Sequence, residues 1–319
     1  MGSLTRAQAR TRRTTVAAVA AVAAVLGLAP GCTISDTSGG DGKVPSDGGR
    51  VLAVKIDNVG PARPQTGLDA ADVVYAEQVE AGLSRLMAVY ADRLPPVIGP
   101  VRSARETDLE LLRQFDDPAL AFSGAQSKLL PLISDAPLRP LSPGKAPGDA
   151  YFRSGAKPAP HNLFLRPKAL NADPGEGGLE STGFVFGPRP KGGTPEREHT
   201  VRFPAARFTF DWSAGQKRYL VSMDGARART SDGKTLGAST VVVQYAKVRE
   251  SRFHDRSGNI TPFTETVGSG KARVLRDGRA YEARWQRTSP DDGTEFTTAD
   301  GSGTLPFAKG QVWVVYAKE

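Results

Sequence analysis

The residues with the clearest chemical potential lie in Ile98-Gly99-Pro100-Val101-Arg102-Ser103-Ala104-Arg105. Two arginines stand there at the start of a helical pattern, where the helix's own partial positive charge makes a cation costly. An anion or a carboxylate must answer them, so Arg102 and Arg105 mark the first candidate binding site. Ser103, three residues before Glu106, reads as a capping box, which predicts a helix from Ala104 with Leu109, Leu111, Leu112 and Phe115 buried. Asp57-Asn58, at the end of an apolar run, offers a carboxylate and an amide where α/β sheets gather ligands. Arg63 and Gln65 follow in a polar loop, and Lys55 is a further cation that could face the same group. His161 closes a long proline-rich loop. Asp57 or Glu80 with His161 is the one acid–base combination available.

Other reaction classes lack their parts. Ser123 follows a short strand, but a nucleophile elbow needs Gly two residues earlier and Ala121 stands there. His161, His199 and His254 lack metal-ligand spacing and the chain has one cysteine, so no metal and no cofactor is expected. Glu77 and Glu80 differ in strand parity, which speaks against a glycosidase carboxylate pair.

The elements that must position these residues follow from patterning. Val51–Ile56 is a strand. Residues 73–80 and 83–90 form a hairpin closed by Ala81-Gly82, which sets Gln78 opposite Arg85 and makes Glu80 a diagonal partner of Arg85. Ala119–Phe122 is a short buried strand, and a second helix spans Ala125 to Ile133. Residues 134–160 are loop, with prolines at 137, 140, 143, 147, 158 and 160. Beyond Val201 nearly all is strand pattern. Asp277-Gly278 is its strongest hairpin signal, pairing Val274 with Tyr281 and Arg273 with Glu282. Trp285 and Trp313 are core candidates. The expected fold is an α+β or α/β N-terminal domain with a mixed sheet, residues 50–190, followed by a mostly antiparallel β domain, residues 191–319.

The first 31 residues read as a signal peptide: basic residues, a 14-residue apolar run from Val16 to Ala29, then Pro30-Gly31-Cys32. The run is short for a membrane-spanning helix. Arg12-Arg13 lacks the residues that follow the pair in a twin-arginine signal. Leu28-Ala29-Pro30-Gly31-Cys32 resembles a bacterial lipobox, which predicts lipidation of Cys32. Residues 32–49 are a Ser/Asp/Thr/Gly tether. Formal charge is +8, but four arginines sit in the first 31 residues; the rest holds 38 bases against 34 acids. That mild excess, without a nucleic-acid motif, argues against nucleic acid as a partner.

Several motifs occur here in the order seen in YerB-like bacterial lipoproteins. They are Lys55-Ile56-Asp57-Asn58, Arg63-Pro64-Gln65-Thr66-Gly67-Leu68, Ala71-Asp72-Val73-Val74-Tyr75, Val79-Glu80 and Gly99-Pro100-Val101-Arg102-Ser103-Ala104-Arg105. Gly268-Ser269-Gly270-Lys271-Ala272, Trp285 and Gly310-Gln311-Val312-Trp313 resemble that family's C-terminal domain. The resemblance spans about residues 50–319. It implies a lipid-anchored protein on the outer face of a bacterial cell membrane and supplies no reaction. The family pattern has Glu directly after the tyrosine and Gly at 81; this chain has Ala76 and Ala81, with Glu77 as the nearest acid.

Three functions are therefore open. The leading one is a binding module for an anionic or carbohydrate cell-wall component, or an envelope protein, built on Asp57, Asn58, Arg63, Gln65, Arg102, Ser103 and Arg105. The second is an envelope hydrolase or transferase using Asp57 or Glu80 with His161. In the third, the arginines only clamp the hairpin to the helix through salt bridges with acids such as Asp72, Glu77 or Glu80.

Overall fold

A computed structural model describes residues 50–319, apart from 172, 173, 176 and 256. The signal segment, Cys32 and the tether fall outside the described residues. Strand dominates. The N-terminal part opens with β1 (Leu52–Asp57), β2 (Val73–Gln78) and β3 (Ser84–Tyr90), followed by α1 (Glu106–Leu112) and β4 (Ala119–Ala121). Then come α2 (Leu130–Asp135), β5 (Arg139–Leu141), β6 (Tyr151–Arg153) and β7 (Leu163–Leu165).

One large mixed sheet joins both halves of the sequence. Its order is Glu295–Thr298, Arg279–Arg287, Gly268–Arg276, Thr240–Ala246, Val312–Lys318, β2, β3, β1, β4, β5. The C-terminal strand Val312–Lys318 runs parallel to both its neighbours, Thr240–Ala246 and β2. It is apolar on both faces because both faces are covered. On one side lies a five-stranded antiparallel sheet including Glu198–Phe203, Ala206–Ser213 and Arg218–Met223. Phe208 and Phe210 from this sheet meet the Trp313 ring at 6.1 and 6.0 Å. On the other side α1 and α2 bury Leu111, Leu112, Phe115 and Ile133 against Ala53, Val73, Met87 and Val314. The hairpin at Asp277-Gly278 has the expected register, Val274 opposite Tyr281 and Arg273 opposite Glu282. Trp285 and Trp313 are buried.

Four local expectations are corrected. The β2–β3 connection is five residues, 79–83, because Ala81 and Gly82 take positive φ (55° and 69°) inside a one-turn 3-10 helix. The register therefore moves by one: Glu77 stands opposite Arg85, and Gln78 opposite Ser84. Helix α1 starts at Glu106 with Arg105 as its N-cap, so Ser103 does not cap it. Asp108, rather than Glu106, folds back onto the Arg105 amide at 2.7 Å. An arginine side chain has no acceptor, so only this half of a capping box forms. The second helix begins at Leu130 instead of Ala125, and the proline-rich loop contains the short strands β5 and β6.

An arm from the C-terminal half reaches α1. Among the described residues, strands Val248–His254 and Ile260–Thr264 pair only with each other. They dock through Ser251 to Glu106 (2.5 Å), the Thr264 amide to the Thr107 hydroxyl (3.1 Å) and the Thr266 amide to Glu110 (2.8 Å). Among the described residues no helix is long and apolar enough to cross a membrane.

Candidate functional site

Strand β1 lies inside the sheet between β3 and β4, so its alternate residues Lys55 and Asp57 are pressed into a covered face instead of water. Both are wholly buried. Buried charges require partners, and register supplies them. Asp57, Arg85 and Glu77 form one row across β1, β3 and β2, and Lys55, Met87 and Tyr75 form the next.

Lys55 is claimed from inside. Its ammonium donates to Glu77 in a short contact and to Asp108 of α1 at 2.7 Å. It therefore belongs to the core and not to a ligand site. Two carboxylates share one lysine there. Burial, partly offset by Lys55 and reinforced by Asp108, pushes the Glu77 carboxyl up to about 7.

Asp57 is the hub of a second cluster. Its Oδ2 accepts from His161 Nδ1 at 2.8 Å and lies 3.0 Å from Arg102 Nε. Its Oδ1 is 3.6 Å from Arg85 Nε. The Arg102 contact is close but poorly angled for a hydrogen bond and the Arg85 contact is too long for one: among the described residues Asp57 Oδ1, Arg102 Nε, and Arg85 Nε and Nη1 are buried without such a bond. Arg102 is delivered by residues 99–102, which take over beside β1 where β4 ends. The Asp57 amide donates to the Pro100 carbonyl (2.9 Å) and the Arg102 amide to the Lys55 carbonyl (2.8 Å). Gly99 is required in this turn: a Cβ on it would lie 2.7 Å from a Phe164 ring carbon, at φ +157°.

Arg105 differs from Arg102. Its Nε and Nη2 grip both oxygens of Glu80 (2.6 and 2.8 Å), and Nη1 serves the carbonyls of Ser103 and Ala104 (3.2 and 3.0 Å). Thr261, on the arm, donates to the same Glu80 at 2.5 Å. Burial would raise the Glu80 carboxyl, but the Arg105 bonds and charge and the Thr261 hydroxyl outweigh it and hold it below the usual range. Glu80 is thus the partner of Arg105, correcting its expected pairing with Arg85, and Arg105 clamps hairpin, helix and arm.

Asn58, Arg63 and Gln65 satisfy one another. Asn58 donates to Ser84 (2.9 Å) and accepts from Gln65 (2.8 Å) and Arg63 (3.2 Å). Arg63 also pairs with Asp224 at 2.8 Å, which ties the loop to the smaller sheet. None of the three lines the cleft described next, so they support the site from behind.

A cleft of about 1340 Å³ opens over this cluster, with Arg85, Arg102, Arg105, Ser103, Ser123 and Arg153 in its wall. The arm closes its far side through Phe253 and Thr261. Asp57 lies behind the arginines, outside the lining. Among the described residues, neither Nη of Arg102 has a hydrogen-bond partner, and 24% of that side chain remains exposed. Ser103 and Ser123 offer hydroxyls 3.4 Å apart. Arg85, nearly enclosed, is pushed down to about 10 by burial and by the Arg105 and Arg102 charges, with Asp57 opposing. The arrangement presents cationic donors with incomplete compensation, which suits an oxyanion. Arg85 was missed as a wall residue by sequence reasoning because a one-residue register change decides which acid it faces.

The architecture defines a strand-rich protein on a shared mixed sheet, with an arginine-walled cleft at the ends of β1 and β2. The chain belongs to the DUF3048 family: a protein-of-unknown-function N-terminal domain matches residues 39–180 and its C-terminal domain residues 199–314. It is 26% identical over 283 residues to the Bacillus subtilis (strain 168) protein named "Putative lipoprotein YerB", covering 83% of this chain and 80% of that protein. The crystal structure of the YerB protein from Bacillus subtilis shares the fold, with a TM-score of 0.69 at 20% identity over 84% of this chain and 90% of that one.

Proposed function

We propose that the chain is a lipoprotein anchored through Cys32 to the outer face of a bacterial cell membrane, whose cleft binds an anionic or carbohydrate cell-wall component. The signal-like segment, the lipobox-like Cys32 and the name of the Bacillus subtilis relative support the anchor. In this reading residues 50–190, with their α+β character, supply the cleft floor, and residues 191–319 supply the arm. The observation that carries the binding is Arg102: it stands in the cleft wall, its Nη groups have no hydrogen-bond partner among the described residues, and it lies beside an under-compensated Arg85. Arg102→Ala should reduce retention on purified cell wall at least tenfold with a melting temperature within about 2 °C of wild type. Undiminished retention refutes the reading.

One observation favours catalysis as a second reading. His161 Nδ1 lies 2.8 Å from the buried Asp57. If Nδ1–H donates to that carboxylate, Nε2 keeps its lone pair and can act as a base oriented by Asp57. Turnover of cell-wall fragments by wild type, lost in His161→Ala, is the expected result under this reading. The purely structural reading applies to Arg105, all of whose nitrogens have partners within the fold.

A further inference from the structure

Charge sign alone does not name the ligand of this cleft, because Glu106 and Asp255 line it together with Arg102 and Arg153. Both acids are occupied within the fold. Glu106 accepts from Ser251 at 2.5 Å, and Asp255 holds the amides of Ser257 and Asn259 at 2.8 and 2.9 Å. What the wall offers in addition is main chain.

Strand β6 lines the cleft through Tyr151, Phe152 and Arg153. Its ladder with β7 is set by the Ser154 amide on the Asn162 carbonyl (2.8 Å) and the Arg166 amide on the Ala150 carbonyl (2.7 Å), with Phe152 opposite Phe164 between them. Residues 150, 152 and 154 therefore turn their N–H and C=O groups to β7, and Tyr151 and Arg153 turn theirs away. The far edge of β7 is already taken. The Val101 amide donates to the Leu163 carbonyl (2.7 Å), and Ile98 and Leu165 exchange both bonds at 2.9 Å. Strand β6 is thus the last strand of a strip running from β1 through residues 98–102 and β7, and among the described residues no strand pairs with its outer edge.

A second stretch of bare main chain lies in the same wall. Gly124, Ala125 and Gln126 line the cleft next to Ser123, whose amide donates to the Arg102 carbonyl at 3.0 Å. Among the described residues the amides of these three have no acceptor. Gly124 has φ +144°, and a Cβ on it would meet nothing within 4 Å, so a ligand can approach that backbone closely. Alternate residues of a strand, such as Tyr151 and Arg153, present carbonyls about 7 Å apart. Acceptors at that spacing call for N–H donors at the same repeat, which an extended peptide has and a phosphodiester chain lacks. Arg102, whose Nη groups have no hydrogen-bond partner among the described residues, can take a carboxylate.

We infer that the cleft binds a carboxylate-terminated peptide of the cell wall in extended form, paired by its main chain to the outer edge of β6 and by its carboxylate to Arg102. This inference deepens the binding reading above and rests on it.

The test titrates the full chain in detergent with diacetyl-L-lysyl-D-alanyl-D-alanine, a soluble mimic of a wall peptide. Two analogues change one group each: an ester ending in D-lactate lacks one N–H, and a C-terminal amide lacks the carboxylate. One net hydrogen bond is worth about fivefold in affinity. The ester is therefore expected to bind at least about fivefold more weakly than the parent, and the amide at least about tenfold more weakly. On the protein side, Arg153→Pro removes an outward N–H that the ladder does not use, and Arg153→Ala keeps it. Both variants lose the Arg153 bond to Asn162 (2.7 Å), so the comparison isolates the amide. Arg153→Pro is expected to bind about fivefold more weakly than Arg153→Ala. Equal affinity of ester and parent, or of the two Arg153 variants, overturns the main-chain pairing and leaves the binding reading standing. The ester comparison uses wild type alone, so it decides the matter if Arg153→Pro fails to fold. No binding of the parent by a wild type that is retained on cell wall through Arg102 also overturns this inference alone. Cell-wall retention indifferent to Arg102→Ala overturns both.

Discussion

At the scale of single residues, the two arginines that look equivalent in the sequence stand in opposite surroundings. Arg105 is locked to Glu80 in a nearly buried bidentate pair. Removing it strands a carboxylate between the hairpin and the arm, and losing one partner of a buried pair costs about 3 kcal/mol. Arg105→Ala should therefore lower the melting temperature by about 6–12 °C for a unit of this size. Arg102→Ala removes a partly exposed side chain whose acid keeps His161, and should change stability by less than about 1 kcal/mol. Thermal melts of the two variants side by side check this; equal losses would contradict it. Glu77 gives a pH signature. Its folded carboxyl is pushed up to about 7, above its ordinary value of 4.5. The folded state therefore holds that proton more tightly than the unfolded chain, so stability falls as pH rises from about 4.5 to about 7. The shift corresponds to roughly 3 kcal/mol at most. Glu77→Gln leaves Lys55 paired with Asp108 alone and should flatten that decline. Denaturant midpoints at pH 5 and pH 7.5 for both proteins provide the measurement.

At the scale of elements, patterns of period two were legible and their offsets were not. The strand at 52–57, the buried strand at 119–121 and the hairpin at Asp277-Gly278 follow from alternation and turn chemistry alone. The β2–β3 hairpin was found but misaligned, because two left-handed residues at 81 and 82 lengthen a turn whose sequence reads as two residues. That single step changed the partners of Glu77, Glu80 and Arg85. Asp57 as the acid near Arg102 was legible from its position at a strand end. The capture of Lys55 was not, because it depends on Asp108 arriving from a helix 53 positions away. The same distance effect hid the arm: Thr261 meets Glu80 across 181 positions. Gly99 fixes how closely the arginine-bearing segment approaches β7. Gly99→Ala would force a Cβ to 2.7 Å from Phe164 and 3.1 Å from the Leu163 carbonyl. Overpacking of this kind costs about 1–3 kcal/mol. The variant should lose stability and also weaken cell-wall retention, since Arg102 rides on the displaced segment. Retention at wild-type level in a destabilised Gly99→Ala would separate segment position from binding.

At the scale of the molecule, the two family domains meet within one sheet. The last strand, Val312–Lys318, lies between Thr240–Ala246 and β2, and its ladder with β2 runs from Val73 to Ala76. Without it, β2 presents a bare edge on a strand that is apolar throughout that ladder, an arrangement prone to collapse or association. Trp313 on the same strand fills the space between the large sheet and Phe208 and Phe210 of the smaller one. The arm adds polar ties from Ser251, Thr261 and Thr266 to α1 and the hairpin. Helix α1 in turn has its Glu110 carbonyl held by Arg287 at 2.8 Å. The cleft wall thus depends on groups from both ends of the sequence. Residues 50–190 expressed alone should show no cooperative unfolding transition and no binding, while the full chain should melt in one step. Differential scanning calorimetry decides the matter. Equal calorimetric and van't Hoff enthalpies are expected for the full chain, and a sharp, reversible transition in the 50–190 fragment would refute this dependence.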